Sequence, residues 1–79
     1  MYMVKTDDET ISTHETLVEA VKTAEELDRQ EEAKGDDGRM VYVYLDYPSK
    51  LYGTDDTMIW VGEGKGLTRE GKRYAEMEG

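Results

Sequence analysis

The feature that most constrains the fold is a regular spacing of apolar residues within residues 12–35. These residues recur at intervals of three and four, the spacing that places side chains on one face of an α-helix. They are Leu17, Ala20, Val21, Ala24 and Leu27. A helix with a single apolar face must bury that face against another element. The short segments on either side of it must therefore supply the covering layer.

Local sequence signals predict where this helix begins and ends. Ser12 and Glu15 match a capping box, which satisfies two backbone amides at the start of a helix, and Thr13 is a competing cap. His14 is then expected in the first helical turn. Gly35 can end the helix, because glycine readily adopts the conformation that follows a last turn.

The C-terminal part of the same segment is acidic. Asp28 and Glu31 rotate onto the side that otherwise faces the core. Charged side chains are rarely buried unless they are paired. We therefore expect the helix to leave the core at this point, so that its last turns project past the sheet.

Three segments have the composition of β-strands. Residues 39–46 are rich in β-branched and aromatic residues and give the strongest prediction, and residues 57–62 form the next strand. Residues 2–5 predict a short strand at an edge or end of the sheet. Residues 47–56, which are more polar, are expected to form a loop.

The terminal segment, residues 68–78, has two interpretations. It forms either a short helix capped by Thr68, with Tyr74 and Met77 on its apolar side, or a further strand. The order β-α-β-β predicts an α+β fold in one domain, residues 1–79. In this fold one amphipathic helix packs on a three-stranded, mostly antiparallel sheet.

One helix covers only one face of such a sheet. Strict alternation along the two main strands turns an aliphatic set of side chains toward the helix and a largely aromatic set away from it. Three covers remain open for the second set: the rest of this chain, a second copy of it, or a foreign partner. The aliphatic set is Val41, Val43, Leu45, Ile59 and Val61, and the other is Met40, Tyr42, Tyr44, Met58 and Trp60.

Composition and charge argue against several classes of protein. The chain has no cysteine, so neither disulfides nor thiolate metal sites can stabilise it. It has no apolar run near the ~20 residues that a transmembrane helix needs, and no secretory signal, so we expect a cytoplasmic protein. The net charge is −9, and residues 1–38 carry most of it, with twelve acidic and four basic residues. Such a charge repels nucleic acids and anionic membranes and attracts basic surfaces.

No group of residues matches a catalytic, metal or nucleotide site. The glycine-rich segment 62–68 resembles a phosphate loop, but Lys65 precedes Gly66, whereas the loop requires lysine directly after its last glycine. Three acidic doublets lack the alternating ligands of a calcium-binding loop. His14 is the only histidine, and no cysteine accompanies it. We therefore expect no enzymatic activity, no cofactor and no metal.

The acidic residues form the leading candidate binding site. Carboxylates along a helix and the following turn can duplicate the phosphates of DNA for a basic groove. A solvated surface that is acidic for solubility, or for life at high salt, is the alternative. The candidate partner-binding residues are Glu15, Glu19, Glu25, Glu26, Asp28, Glu31, Glu32, Asp36 and Asp37.

In size, acidity, absence of cysteine and β-α-β-β layout, the chain resembles the small acidic proteins that phages encode to block host defence, including anti-CRISPR proteins and other DNA mimics. The resemblance rests on no motif, so no functional residue is carried over. It implies an inhibitor that occupies the DNA-binding or PAM-reading surface of a host complex without binding nucleic acid itself. The alternative function is a non-catalytic structural or accessory domain that forms a homodimer through Tyr42, Tyr44 and Trp60.

Overall fold

The computed structural model describes the backbone of residues 1–49 and 53–78, and the side chains of residues 1–45 and 57–77. The described chain contains five strands and two helices. They are β1 (Tyr2–Thr6), β2 (Thr10–His14), α1 (Leu17–Glu32), β3 (Val41–Ser49), β4 (Gly53–Val61), β5 (Gly66–Leu67) and α2 (Arg69–Glu78). A 3₁₀ turn, Gly35–Asp37, links α1 to β3.

The strands form one antiparallel sheet in the order β2-β1-β3-β4-β5. Both helices pack on the same face of this sheet. α1 lies on β1, β2 and β3, and α2 lies on β4 and β5 beside α1. The α+β class is confirmed, but the sheet has five strands where three were expected. β1 lies inside the sheet between β2 and β3, so its prediction as an edge strand is wrong.

The main helix begins later than the predicted cap at Ser12. Thr10–His14 forms β2, which pairs with β1, so both Ser12 and His14 lie in a strand. Thr16 caps α1 instead, and its hydroxyl accepts a hydrogen bond from the amide of Glu19 at 3.3 Å. Thr16 and Glu19 have the same capping spacing as the predicted pair. Pairing of the preceding segment with β1 decides which of the two caps is used.

The two layers meet in a small aliphatic core. On the helix side, the predicted apolar face of α1 is confirmed, because its members are buried or pack against buried residues. On the sheet side, the largest fully enclosed side chains each contribute roughly 1.5–3 kcal/mol by leaving water. They are Val4, Val41, Val43 and Ile59.

A β-bulge in β4 overturns two predicted face assignments. Val43, whose side chain is buried, pairs with Trp60, whereas Ile59 has no cross-strand partner. Because the bulge adds one residue to the alternation, Trp60 turns toward the helices and is only 6% exposed. Val61 moves to the other face, opposite Tyr42. The prediction that Trp60 lies on the outer face and Val61 on the helix face is therefore wrong.

The segment expected to form a loop, residues 47–56, is largely strand. β3 and β4 continue as a paired hairpin as far as Ser49 and Gly53. The tip, residues 50–52, lies outside the described residues. Hydrogen bonding between the two backbones thus carries the strands beyond the point where the side-chain pattern stops predicting them.

The terminal segment is a helix, as the first of its two interpretations predicts. The hydroxyl of Thr68 accepts a hydrogen bond from the amide of Gly71 at 3.0 Å and so caps α2. Tyr74 packs against the core as expected, but Met77 is 79% exposed and lies on the solvent side. Within the described residues, no helix is long and apolar enough to cross a membrane.

Candidate functional site

The last turns of α1 remain on the sheet, contrary to the prediction that they leave the core. Asp28 and Glu31 are both buried, with exposures of 9% and 2%. A buried carboxylate is stable only when hydrogen bonds or opposite charges compensate for the water it has lost. The two side chains receive this compensation to different extents.

Glu31 is surrounded by donors. Its Oε1 accepts hydrogen bonds from the backbone amide of Arg39 at 3.1 Å and from Arg39 Nε at 2.9 Å. The Nζ of Lys34 contacts Oε2. Gly38 packs closely against the same turn, since a Cβ there would overlap the carbonyl oxygen of Glu31. Hydrogen bonds from Lys34 and Arg39 lower the pKa of Glu31 from 4.5 to about 2.

Arg39 connects this turn to the hairpin between β1 and β2. Its Nη1 lies 3.3 Å from Glu9 Oε1 and 3.9 Å from Asp8 Oδ2. The Thr6 hydroxyl orders the same hairpin by accepting hydrogen bonds from the amides of Asp8 and Glu9. Hydrogen bonds to Glu31 and Glu9 raise the pKa of Arg39. The hairpin and the α1–β3 connection therefore lie together at one end of the sheet.

The exposed carboxylates around this junction form what we call the acidic end. Lys34 and Arg39 lie among them, but both contact the buried Glu31, so their charge compensates that residue first. Arg39 also contacts Glu9 and Asp8, so these two carboxylates share a cation with Glu31. No ion pair reaches Asp7, Glu32, Asp36 or Asp37 from the described side chains. The acidic end consists of six exposed residues, Asp7, Asp8, Glu9, Glu32, Asp36 and Asp37.

The structure divides the predicted acidic residues into three groups. Glu32, Asp36 and Asp37 belong to the acidic end, and Asp28 and Glu31 are buried. The remaining residues are exposed on α1 or in the turn before it, and exposed lysine and arginine side chains lie near those on the helix. This third group is Glu15, Glu19, Glu25 and Glu26, with Lys22 between Glu19 and Glu25 and with Arg29 after Glu26.

Sequence reasoning missed the part that the β1–β2 hairpin and Arg39 play in the acidic end. Asp7, Asp8 and Glu9 signal the end of a strand, and Arg39 signals the start of another. No local pattern shows that Arg39 reaches a glutamate eight residues earlier and a hairpin thirty residues earlier. Only the pairing of β1 with β3 brings these segments together.

Asp28 faces the turn between β4 and β5. Its Oδ2 accepts a hydrogen bond from the amide of Glu63 at 3.2 Å. No other donor among the described side chains and backbone contacts this carboxylate. Gly62 packs against it, because a Cβ there would overlap Asp28 Oδ1. Asp28 lines an open cleft of about 310 Å³ whose wall includes Trp60.

The outer face of the sheet, away from the helices, carries the other aromatic candidates. Tyr42 and Tyr44 are partly exposed there, with ring centroids 6.1 Å apart. The Nζ of Lys5 lies 5.3 Å from the centre of the Tyr44 ring. Burial, with a hydrogen bond to Asp7, raises the pKa of Tyr42. Since Trp60 lies on the helix side, the structure separates it from the two tyrosines.

Histidine and the acidic side chains are the groups to consider for catalysis and metal binding in the described part of the chain. The described residues contain no group of three or more His, Asp or Glu side chains that could hold a metal ion. His14 Nε2 lies 2.9 Å from Ser12 Oγ on strand β2. A serine–histidine contact becomes a nucleophile pair only with an acidic group to orient the imidazole and donors for an oxyanion. No such carboxylate contacts His14 among the described residues.

No protein-family model, curated protein sequence or solved structure matches the chain. Three surfaces of the described chain are candidate functional sites: the acidic end, the Asp28 cleft and the outer sheet face.

Proposed function

We propose that this chain is a non-catalytic acidic inhibitor that binds the basic surface of a nucleic-acid-binding protein or complex, as DNA mimics and anti-CRISPR proteins do. It acts in the cytoplasm, contacts no nucleic acid itself and uses no cofactor. The observation that supports this proposal is the acidic end. Two segments that are distant in sequence combine there into six exposed carboxylates.

The chemistry of this surface suits a basic groove. Carboxylates that repel one another raise the affinity for a partner rich in arginine and lysine, because binding relieves the repulsion. The exposed residues lie on a short hairpin, at the end of α1 and in a 3₁₀ turn. Arg39 joins the hairpin to the end of α1 through Glu9 and Glu31. This connection limits the loss of conformational entropy on binding, since the two segments are held together before a partner arrives.

The test is a displacement experiment with a matched pair of variants. Purified basic DNA-binding proteins are loaded with fluorescein-labelled duplex DNA, and release of the duplex is followed by anisotropy as the chain is added. We expect displacement that weakens steeply as the salt concentration rises. Asp36→Lys with Asp37→Lys in one chain should abolish it.

The control carries the same change of charge elsewhere. Glu70→Lys with Glu76→Lys alters the net charge by the same four units, but on α2. It should displace the duplex nearly as well as the natural chain does. Equal loss in both variants would mean that net charge alone acts, and absence of displacement by the natural chain would refute the proposal.

A second candidate function is self-association through the outer sheet face. Met3, Tyr42, Tyr44, Met58 and Val61 are all partly exposed, and neither described helix packs on their side of the sheet. Partly exposed aromatic and methionine side chains of this kind are enriched at protein interfaces. In this case the chain acts as an accessory domain that dimerises, and its acidity keeps it soluble.

Sedimentation velocity separates the two candidates. A dimer held by the outer face persists in high salt and dissociates with Tyr44→Ser, whereas the acidic proposal needs no dimer. Trp60→Ser is unsuitable for this test, because Trp60 is part of the core and its loss would unfold the chain. A chain that remains monomeric at high concentration excludes the second candidate.

A further inference from the structure

The Asp28 cleft contains a buried carboxylate that the fold does not fully use. An ionised carboxyl group offers about four acceptor positions. Asp28 is only 9% exposed, yet a single described donor reaches it, the Glu63 amide at 3.2 Å. Glu31, which is comparably buried on the same helix, has the Arg39 amide, the Arg39 side chain and Lys34. Buried polar groups are normally hydrogen-bonded to protein or to water, and the spare acceptor positions of Asp28 can therefore take a further donor that enters the cleft.

The walls of the cleft indicate the chemistry of that partner. Glu25 adds a second, exposed carboxylate beside Asp28, and Trp60 provides an apolar surface. Arg29 also lines the cleft, but it forms no ion pair within 4.0 Å of either carboxylate in the described chain. Two acidic groups next to an indole suit a cation that is flat, weakly hydrated and rich in donors.

We propose that the Asp28 cleft receives an arginine side chain from the basic partner. The planar guanidinium has five N–H donors in a fixed fork that matches a carboxylate, and its weak hydration makes it the cation best suited to a half-buried site. One arginine can donate to Asp28 while its alkyl portion lies against Trp60. The identity of the natural partner rests on the proposed function, but binding of an arginine side chain depends only on the residues of this cleft.

The experiment uses the full chain and a monomeric probe, N-acetyl-L-arginine amide, at constant ionic strength. Two signals report from inside the cleft: the Glu63 amide, which donates to Asp28, and the indole of the chain's single tryptophan. Both are followed in ¹⁵N–¹H NMR spectra. We expect saturable shifts of both signals, and weaker shifts with the lysine analogue. The neutral glutamine analogue should give none.

Three variants locate the binding. Asp28→Asn keeps an oxygen for the Glu63 amide but loses the charge, and should weaken arginine binding by about tenfold. Glu25→Gln should weaken it by a smaller factor. Glu26→Gln is the control, since Glu26 is also an exposed residue of α1 but does not line this cleft, and the variant should bind arginine as the natural chain does.

Each outcome decides the inference. Shifts that do not saturate, or equal affinity of Asp28→Asn and the natural chain, would overturn it. If Asp28→Asn does not fold, the comparison of Glu25→Gln with Glu26→Gln decides in its place, and equal affinities refute the cleft. Duplex displacement without arginine binding would leave the acidic end as the binding surface and remove only this inference. Arginine binding without duplex displacement would keep the cleft and refute the proposed inhibitor.

Discussion

Two carboxylates on the last turns of α1 are buried to a similar extent but have different surroundings. Asp28 and Glu31 are three residues apart, and both are at least nine-tenths buried. Glu31 faces the acidic end and is enclosed by two cations and an amide. Asp28 faces the β4–β5 turn and has one amide beside an open cleft. The first carboxylate completes the fold, and the second is left available for a ligand.

The two sides differ in what the sheet brings to them. β3 begins next to the end of α1, so the chain places Arg39 against Glu31 immediately after the 3₁₀ turn. The β4–β5 turn delivers only backbone to Asp28, through Glu63 and the closely packed Gly62. A charged side chain is needed to neutralise a buried carboxylate, because a single backbone amide carries only a partial positive charge. We therefore expect the two carboxylates to respond differently to the same substitutions.

The largest difference should appear when each charge is removed. Glu31→Gln leaves Arg39 and Lys34 without their shared anion and puts an amide N–H₂ where only acceptors fit. Asp28→Asn keeps the acceptor for the Glu63 amide and should cost no more than about 1 kcal/mol. Urea unfolding at pH 7 measures both free energies, and we expect Glu31→Gln to be the more destabilising by a clear margin.

The acid dependence of stability gives the next effect. The pKa of Glu31 is lowered in the folded chain from 4.5 to about 2. Its ionised form therefore stabilises the fold above pH 4.5, and this stabilisation is lost as the pH falls from 4.5 toward 2. The natural chain and Glu31→Gln should differ in unfolding free energy at pH 7 and converge near pH 2. A difference that stays constant over this range would contradict the role given to Glu31.

The contrast between the two carboxylates could not be read from the sequence. The pattern correctly placed both on the core side of α1, together with the apolar face that the structure confirms. The prediction that the helix leaves the core was wrong, because Arg39 lies opposite Glu31 and compensates its charge. That contact depends on the length of the 3₁₀ turn and the register of β3, which side-chain periodicity does not encode.

The sheet shows the same limit. Composition identified β3, the end of β4 and most of β1, where β-branched and aromatic residues are dense. It missed β2, which is polar and exposed, and which is held in place by pairing with β1. The alternation also failed at Trp60, because one extra residue at Ile59 reverses the faces beyond it. The sequence shows that the first half of the chain is acidic, but it does not show that residues 7–9 lie next to residues 32–37 at the acidic end.

Substitution of the two glycines next to these residues tests how closely each side of α1 is packed. A Cβ at Gly38 would overlap the backbone oxygen of Glu31, whereas the three atoms nearest to a Cβ at Gly62 all belong to the side chain of Asp28. Each Gly→Ala change should cost about 1–3 kcal/mol. In the Asp28→Ala background the loss of unfolding free energy caused by Gly62→Ala should largely disappear.

The loss caused by Gly38→Ala should remain in a Glu31→Ala background, because the backbone oxygen is still present. Equal coupling in the two double-mutant cycles would show that the two sides are packed alike.

The smallest effect concerns the outer contact of Arg39. Glu9 reaches the guanidinium at 3.3 Å, but its side chain is 59% exposed, compared with 3% for Glu31. Surface ion pairs of this kind contribute about 0.2–1 kcal/mol and weaken in salt. Glu9→Gln should therefore lower the unfolding free energy slightly at low salt, and in molar salt it should match Glu26→Gln, an exposed control without a described ion pair.

A loss of unfolding free energy as large as that of Glu31→Gln, or one that persists in molar salt, would mean that the hairpin contact supports the fold. Asp7, Asp8 and Glu9 would then be structural residues, and the acidic end would lose half of the carboxylates that it offers to a partner.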